Sequence, residues 1–279
     1  MKLSPIIEAD ELPEIHQNPD VMIFDAGSKT NYEKEHLQGA FFVDLNTELA
    51  DIKDDVSFGG RHPLPKTGDF SKTLTDLGIT ENTHIIIYDD KNASNAAARF
   101  WWMLKAAGHK KVQVLNGGFI NAKKHGFPLS SKSEIAEKAA EFYQINRWNL
   151  PTADINEVEK VCENPNYLVV DVRDKERFDG ISEPIDLIAG HIPGAINIPF
   201  TENLDENGLF LKPEELRKKY RAKFGKTDVE NIIFHCGSGV TACHTLLALV
   251  YAEMEIPKLY VGSWSEWSRN GKKMIGNYL

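Results

Sequence analysis

The sequence predicts an α/β protein built from two tandem copies of one domain, each a mostly parallel sheet flanked by helices. Three observations carry this. The chain has 279 residues, beyond the ~250 at which a single core stops growing. Four segments recur in the same order at nearly one offset. Met22-Ile23-Phe24-Asp25 matches Leu168-Val169-Val170-Asp171 at 146 residues, and Glu35 to Ala40 matches Gly190 to Ala195 at 155. Ile85 to Asp89 matches Ile232 to Cys236 at 147, and Leu115 to Phe119 matches Tyr260 to Trp264 at 145. Finally, each copy alternates short apolar runs with helical stretches such as Ala96 to Ala107 and Ala242 to Met254, the pattern of parallel α/β sheets.

Taken in order, residues 1–130 form the first copy, 131–150 a linker and 151–279 the second copy. The first copy closes near Gly126-Phe127-Pro128, and Ser130-Ser131-Lys132-Ser133 has linker composition. Pro151 precedes a helix capped by Thr152 or Asp154. Trp101 and Trp102 read as core, and Trp264 and Trp267, after the last strand, as a cleft wall.

The totals exclude several function classes. With 42% hydrophobic and 26% charged residues the composition is that of an ordinary soluble globular protein. A net charge of −9 argues against nucleic acid as a partner. No apolar run approaches the ~18 residues of a membrane span, and Met1-Lys2-Leu3-Ser4-Pro5 lacks a secretory apolar region. Three sparse cysteines fit a reducing compartment, so a cytoplasmic location is expected. Cys236 and Cys243 are seven apart, with no metal-ligand spacing, and no metal or cofactor is expected.

The chemistry concentrates in Ile232-Ile233-Phe234-His235-Cys236-Gly237-Ser238-Gly239-Val240-Thr241-Ala242. Ile232 to Phe234 read as a buried strand, the glycines as a tight loop, and the residues from about Thr241 as a helix. Parallel α/β sheets keep their ligand sites at such strand ends. Successive N–H groups in a glycine loop make an anion nest, and the helix N-terminus adds its positive dipole end. A cysteine placed there is favoured as the thiolate, the nucleophilic form. Phosphatases with a thiolate in a similar loop place an arginine six residues after it to clamp phosphate. Here that position is Ala242 and the loop has no basic side chain, so phosphate chemistry is disfavoured.

Cys236-Gly237-Ser238-Gly239-Val240-Thr241-Ala242 resembles the active loop of rhodanese-type sulfurtransferases, in the form found in 3-mercaptopyruvate sulfurtransferases. Gly190-His191-Ile192-Pro193-Gly194-Ala195, Asp171-Val172-Arg173 with Arg177-Phe178, and Gly262-Ser263-Trp264-Ser265-Glu266-Trp267 fit the same resemblance. It implies two rhodanese-like domains and a persulfide on Cys236, with backbone N–H groups of Gly237, Ser238, Gly239, Val240 and Thr241 holding the thiolate and the added sulfur. Asp89 stands at the cysteine's place in the first copy. A carboxylate cannot carry a sulfur atom, so that copy is expected to be catalytically silent and to shape the cleft.

Arg177 resembles the family's substrate-anion arginine, a planar fork suited to a carboxylate. Arg173 is a second candidate, or else supports the strand end through an ion pair with Asp171. Mercaptopyruvate-type members carry another arginine nine residues after the first, and here that position is Asp186. Arg61, in Gly59-Gly60-Arg61-His62-Pro63-Leu64-Pro65, is a candidate substitute. Ser238, His36 and Asp25 resemble the proposed Ser-His-Asp proton relay, although His36 has a twin in His191 and so equally reads as a structural brace. The expected reaction moves sulfur from 3-mercaptopyruvate to cyanide or a thiol, such as thioredoxin or a low-molecular-weight thiol. Thiosulfate is the alternative donor, and a non-catalytic scaffold the alternative class.

Overall fold

The computed structural model of the chain describes residues 3–276; Met1 and Lys2, part of the segment read for a leader, lie outside them. The chain divides into two compact units. One comprises residues 1–51, 65–149 and 206–210, the other 52–64, 150–205 and 211–279.

The first unit contains strands β1 (Ile6–Ile7), β2 (Val21–Asp25), β3 (His36–Leu37), β4 (Ala40–Phe42), β5 (His84–Tyr88), β6 (Val112–Leu115) and β7 (Leu129–Ser130). Its helices are α1 (Leu12–Ile15), α2 (Lys29–Lys34), α3 (Thr67–Asp76), α4 (Ala96–Ala107) and α5 (Gly118–Lys124). Five strands form a parallel sheet in the order β1-β6-β5-β2-β4, and β3 pairs antiparallel with β7. Ile85, Ile86 and Ile87 are β-branched and buried on both faces, as a central parallel strand requires. Helix α4 ends as expected at Ala107, because Gly108 at φ +94° supplies the left-handed cap. Trp101 and Trp102 are buried in it.

The second unit contains β8 (Thr152–Ala153), β9 (Leu168–Asp171), β10 (Ile196–Asn197), β11 (Ile232–His235) and β12 (Lys258–Tyr260). Its helices are α6 (Ile155–Val161), α7 (Lys175–Phe178), α8 (Pro213–Phe224), α9 (Thr241–Tyr251) and α10 (Ser263–Trp267). The parallel order β10-β9-β11-β12-β8 is that of the first unit with each strand replaced by its repeat. Asp154 caps α6, accepting from the Asn156 and Glu157 N–H groups at 2.9 and 2.8 Å. Helix α9 stops three residues before the expected Met254, where Glu253 takes φ +56°.

Two stretches depart from the sequence expectation. Of the expected linker, residues 131–149 belong to the first unit: Tyr143 and Ile145 are buried, and their N–H groups donate to Thr75 Oγ1 and Ser71 Oγ on α3. Residues 52–64, which precede α3 in the chain, group with the second unit. Gly59 N–H donates to Glu266 Oε1 at 2.8 Å, Arg61 N–H to Ser265 Oγ at 3.1 Å, and Asn270 Nδ2 to the Ser57 carbonyl at 2.8 Å. This arm is anchored on α10 and the residues after it.

Candidate active site

Cys236 follows the last residue of β11, and α9 begins at Thr241. Cys236 is buried; its N–H donates to Ser263 Oγ at 3.2 Å, and its carbonyl accepts from the Trp264 N–H at 3.0 Å. The Gly237 carbonyl accepts from the Ser265 N–H at 2.9 Å, so α10 braces the loop as well as the arm. Gly239 has φ +71°, and a Cβ there would lie 2.5 Å from the Val261 carbonyl oxygen, so only glycine fits. Among the described residues, none accepts from the N–H groups of Gly237, Ser238, Val240 or Thr241. Free donors at a helix N-terminus are a seat for an anion.

The first unit shows such a loop holding a carboxyl group of its own. Asp89 directly follows β5, as Cys236 follows β11. Its buried Oδ1 accepts from the Lys91 and Ala93 N–H groups at 2.9 Å, and Oδ2 from Asn95 and Ala97 at 3.2 Å. Burial raises this carboxyl's pKa against the pull of those four donors. The nest of the first copy is thus filled by a side chain.

Ser238 Oγ is hydrogen-bonded to His62 Nδ1 at 2.8 Å. The expected partner, His36, is placed otherwise. It is wholly buried in the first unit, its Nδ1 lies 2.6 Å from the Tyr32 carbonyl oxygen, and its ring stacks on Tyr32 at 3.9 Å. His191 repeats the arrangement, with Nδ1 2.7 Å from the Phe178 carbonyl oxygen and its ring 3.8 Å from that of Phe178. The twin histidines are braces. Asp25 accepts from the Gly27 N–H at 2.7 Å, and burial raises its pKa to about 6.

Arg177 directs Nε and Nη2 to Glu183, the shortest contact being 2.7 Å, and Nη2 also lies 3.5 Å from Asp186 Oδ2. Arg61 Nε donates to Asp186 Oδ1 at 3.1 Å. Arg269 Nη1 donates to the same oxygen at 3.1 Å. A Cβ on Gly237 would lie 2.9 Å from Arg61 Nη2 and 3.4 Å from Arg177 Nη2, so both guanidiniums touch the loop.

Arg173 does not join them. It is buried, with Nε and Nη2 on Asp171, Nη1 on Glu183, Nη2 also on the Gly190 carbonyl, and its guanidinium 4.7 Å from the Trp264 ring. With every donor group engaged inside the protein it supports the strand end and is not a substrate ligand. Burial alone would raise the Asp171 pKa; Arg173 and His235 outweigh it, and the net shift is downward. Burial keeps His235 neutral, against the pull of Asp171. Trp264 and Trp267 are core residues and not a wall, with indole N–H groups on the Ile188 and Lys273 carbonyls.

Sequence reasoning missed His62 and Arg269. For His62 the repeat held a signal: counted at the 147-residue offset, the second copy has Leu209, so this histidine has no twin. Arg269 carried none.

Residues 8–125 and 154–270 each match the rhodanese-like domain model. A probable 3-mercaptopyruvate sulfurtransferase of Pseudomonas aeruginosa is 34% identical over 99% of this chain and 99% of its own. The thiosulfate sulfurtransferase of Rattus norvegicus is 37% identical over 87% of this chain and 80% of its own. The solved structure of SseA from Escherichia coli, a 3-mercaptopyruvate sulfotransferase, superposes with a TM-score of 0.77 at 30% identity, covering 95% of this chain and 100% of that one.

Proposed function

The chain belongs to the two-domain rhodanese family of sulfurtransferases, and we propose that it moves sulfur from 3-mercaptopyruvate to a thiol or cyanide through a persulfide on Cys236. The Cys236 thiolate attacks the donor's sulfur, the donor's C–S bond breaks, and its electron pair leaves with carbon as the enolate of pyruvate. The enolate takes up a proton, and the sulfur stays on Cys236. An acceptor thiolate or cyanide then attacks the terminal sulfur and returns the Cys236 thiolate. The N–H groups of Gly237, Ser238, Val240 and Thr241 hold the negative sulfur, and Arg61 and Arg177 orient the donor's carboxylate.

The observation that carries the choice of donor is the Ser238–His62 hydrogen bond of 2.8 Å, two residues from the nucleophile. An enolate needs a proton on leaving, and a serine backed by histidine can deliver one. Thiosulfate expels sulfite, a stable anion that needs none. Similarity to the rat thiosulfate sulfurtransferase keeps thiosulfate as the second donor. No helix among the described residues is long and apolar enough to cross a membrane. We place the reaction in the reducing cytoplasm, with thioredoxin or a small thiol as acceptor.

Mass spectrometry after incubation with 3-mercaptopyruvate should show a gain of about 32 Da, one persulfide sulfur, on Cys236. With cyanide as acceptor, kcat/KM should be higher for 3-mercaptopyruvate than for thiosulfate. The reverse preference reassigns the donor, and full-rate sulfur transfer by Cys236→Ser removes the persulfide route.

A further inference from the structure

Asp186 is the carboxylate on which the arginines of the site meet. Its side chain is inaccessible to solvent, and it pairs with Arg61, Arg177 and Arg269 at 3.1, 3.5 and 3.1 Å. Arg61 turns the whole Nε–Nη2 edge of its guanidinium to Asp186, and Arg177 turns the same edge to Glu183. The forks that would grip an incoming anion bidentately therefore already face carboxylates of the protein. Counted together, Asp171, Glu183 and Asp186 cancel all but one of the positive charges of Arg61, Arg173, Arg177 and Arg269.

We propose that Asp186 is a specificity-determining residue, a built-in carboxylate that competes with the donor for Arg61 and Arg177 and so favours singly over doubly charged donors. This rests on the persulfide reading above. Repulsion grows in proportion to the donor's charge. Removing the Asp186 charge therefore helps a dianion by about the square of the factor by which it helps a monoanion.

The test is Asp186→Asn, which keeps an oxygen for Arg61 and Arg269 and removes the charge. kcat/KM should rise about threefold for 3-mercaptopyruvate and about tenfold for thiosulfate, and the gap between them should narrow as salt is added. Arg269→Gln, which leaves Asp186 less compensated, should move the donor ratio the other way and decides the matter if the first variant does not fold. Equal changes for the two donors, or a fall in both, would reduce Asp186 to a structural role. Persulfide formation by the unaltered protein is measured alongside. If it takes sulfur from neither donor, the sulfurtransferase reading fails; if it takes sulfur but the variants leave the ratio fixed, only the role of Asp186 fails.

Discussion

At Ser238 the proton path depends on which histidine its hydroxyl meets. His36 and His62 both precede it in the chain, but only His62 is bonded to it, and His36 is held in its own unit by Tyr32. Replacing His62 with Gln should lower kcat for 3-mercaptopyruvate by about a hundredfold while changing KM little. The rate of persulfide formation from thiosulfate, whose leaving group needs no proton, should barely move. A stopped-flow comparison of the two donors checks this, and equal losses would mean that His62 only holds the loop. At this scale the strand-end position of Cys236 was legible because its flanking glycines announce a loop, whereas the place of Arg177 beside that loop was suggested only by the family motif around it. His62 was hidden because its role depends on a contact 176 residues along the chain, which no local pattern records.

At the scale of elements, the arm of residues 52–64 brings Arg61 and His62 to the loop, and its fit depends on Gly60. That residue has φ +79°, and a Cβ would lie 2.3 Å from the Gly262 carbonyl oxygen and 2.7 Å from Ser265 Oγ. Gly60→Ala meets both a left-handed backbone, costing about 1–2 kcal/mol, and a backbone clash. It should loosen the arm while leaving both sheets folded: kcat/KM should fall at least about tenfold, and limited proteolysis should cut between residues 52 and 64 sooner. Unchanged cleavage and turnover would show that the arm tolerates the methyl group. The strands and long helices were legible because the repeat locates them twice and Gly108 marks an end. The arm was not legible, since residues 206–210, which stand opposite its residues 59–63 at the 147-residue offset and group with the first unit, share no residue with them, and its anchors on Glu266 and Ser265 lie some 200 residues away. The serine-rich join was misread for a related reason, its buried Tyr143 and Ile145 being obscured by polar neighbours.

For the molecule as a whole, two buried groups in the first unit set opposing pH dependences. Burial lowers the His109 pKa to about 4, so between pH 6.5 and 4 the unfolded chain takes up a proton that the folded one refuses. Stability from this group is full above 6.5 and is lost as the pH falls. Asp25, raised by burial to about 6, acts in reverse: the folded state keeps a proton that the unfolded chain releases, so stability is lost as the pH rises from 3.8 to 6. Hydrogen exchange of the β5 amides, compared between wild type and His109→Gln, should show the wild type losing about 3 kcal/mol relative to the variant from pH 6.5 to 4. A constant difference would mean that His109 titrates normally in the folded state. The two-copy architecture was fully legible, because internal repetition survives in sequence as long as both cores must pack the same sheet.

The arm also bears on the history of the chain. When a gene doubles, each half at first remains able to live alone, and either can later be discarded. Here the half without the cysteine supplies a guanidinium and an imidazole to the half that carries it, so the first cannot be shed without disarming the second. Redundancy has given way to a one-sided dependence, and descent from this arrangement runs in one direction.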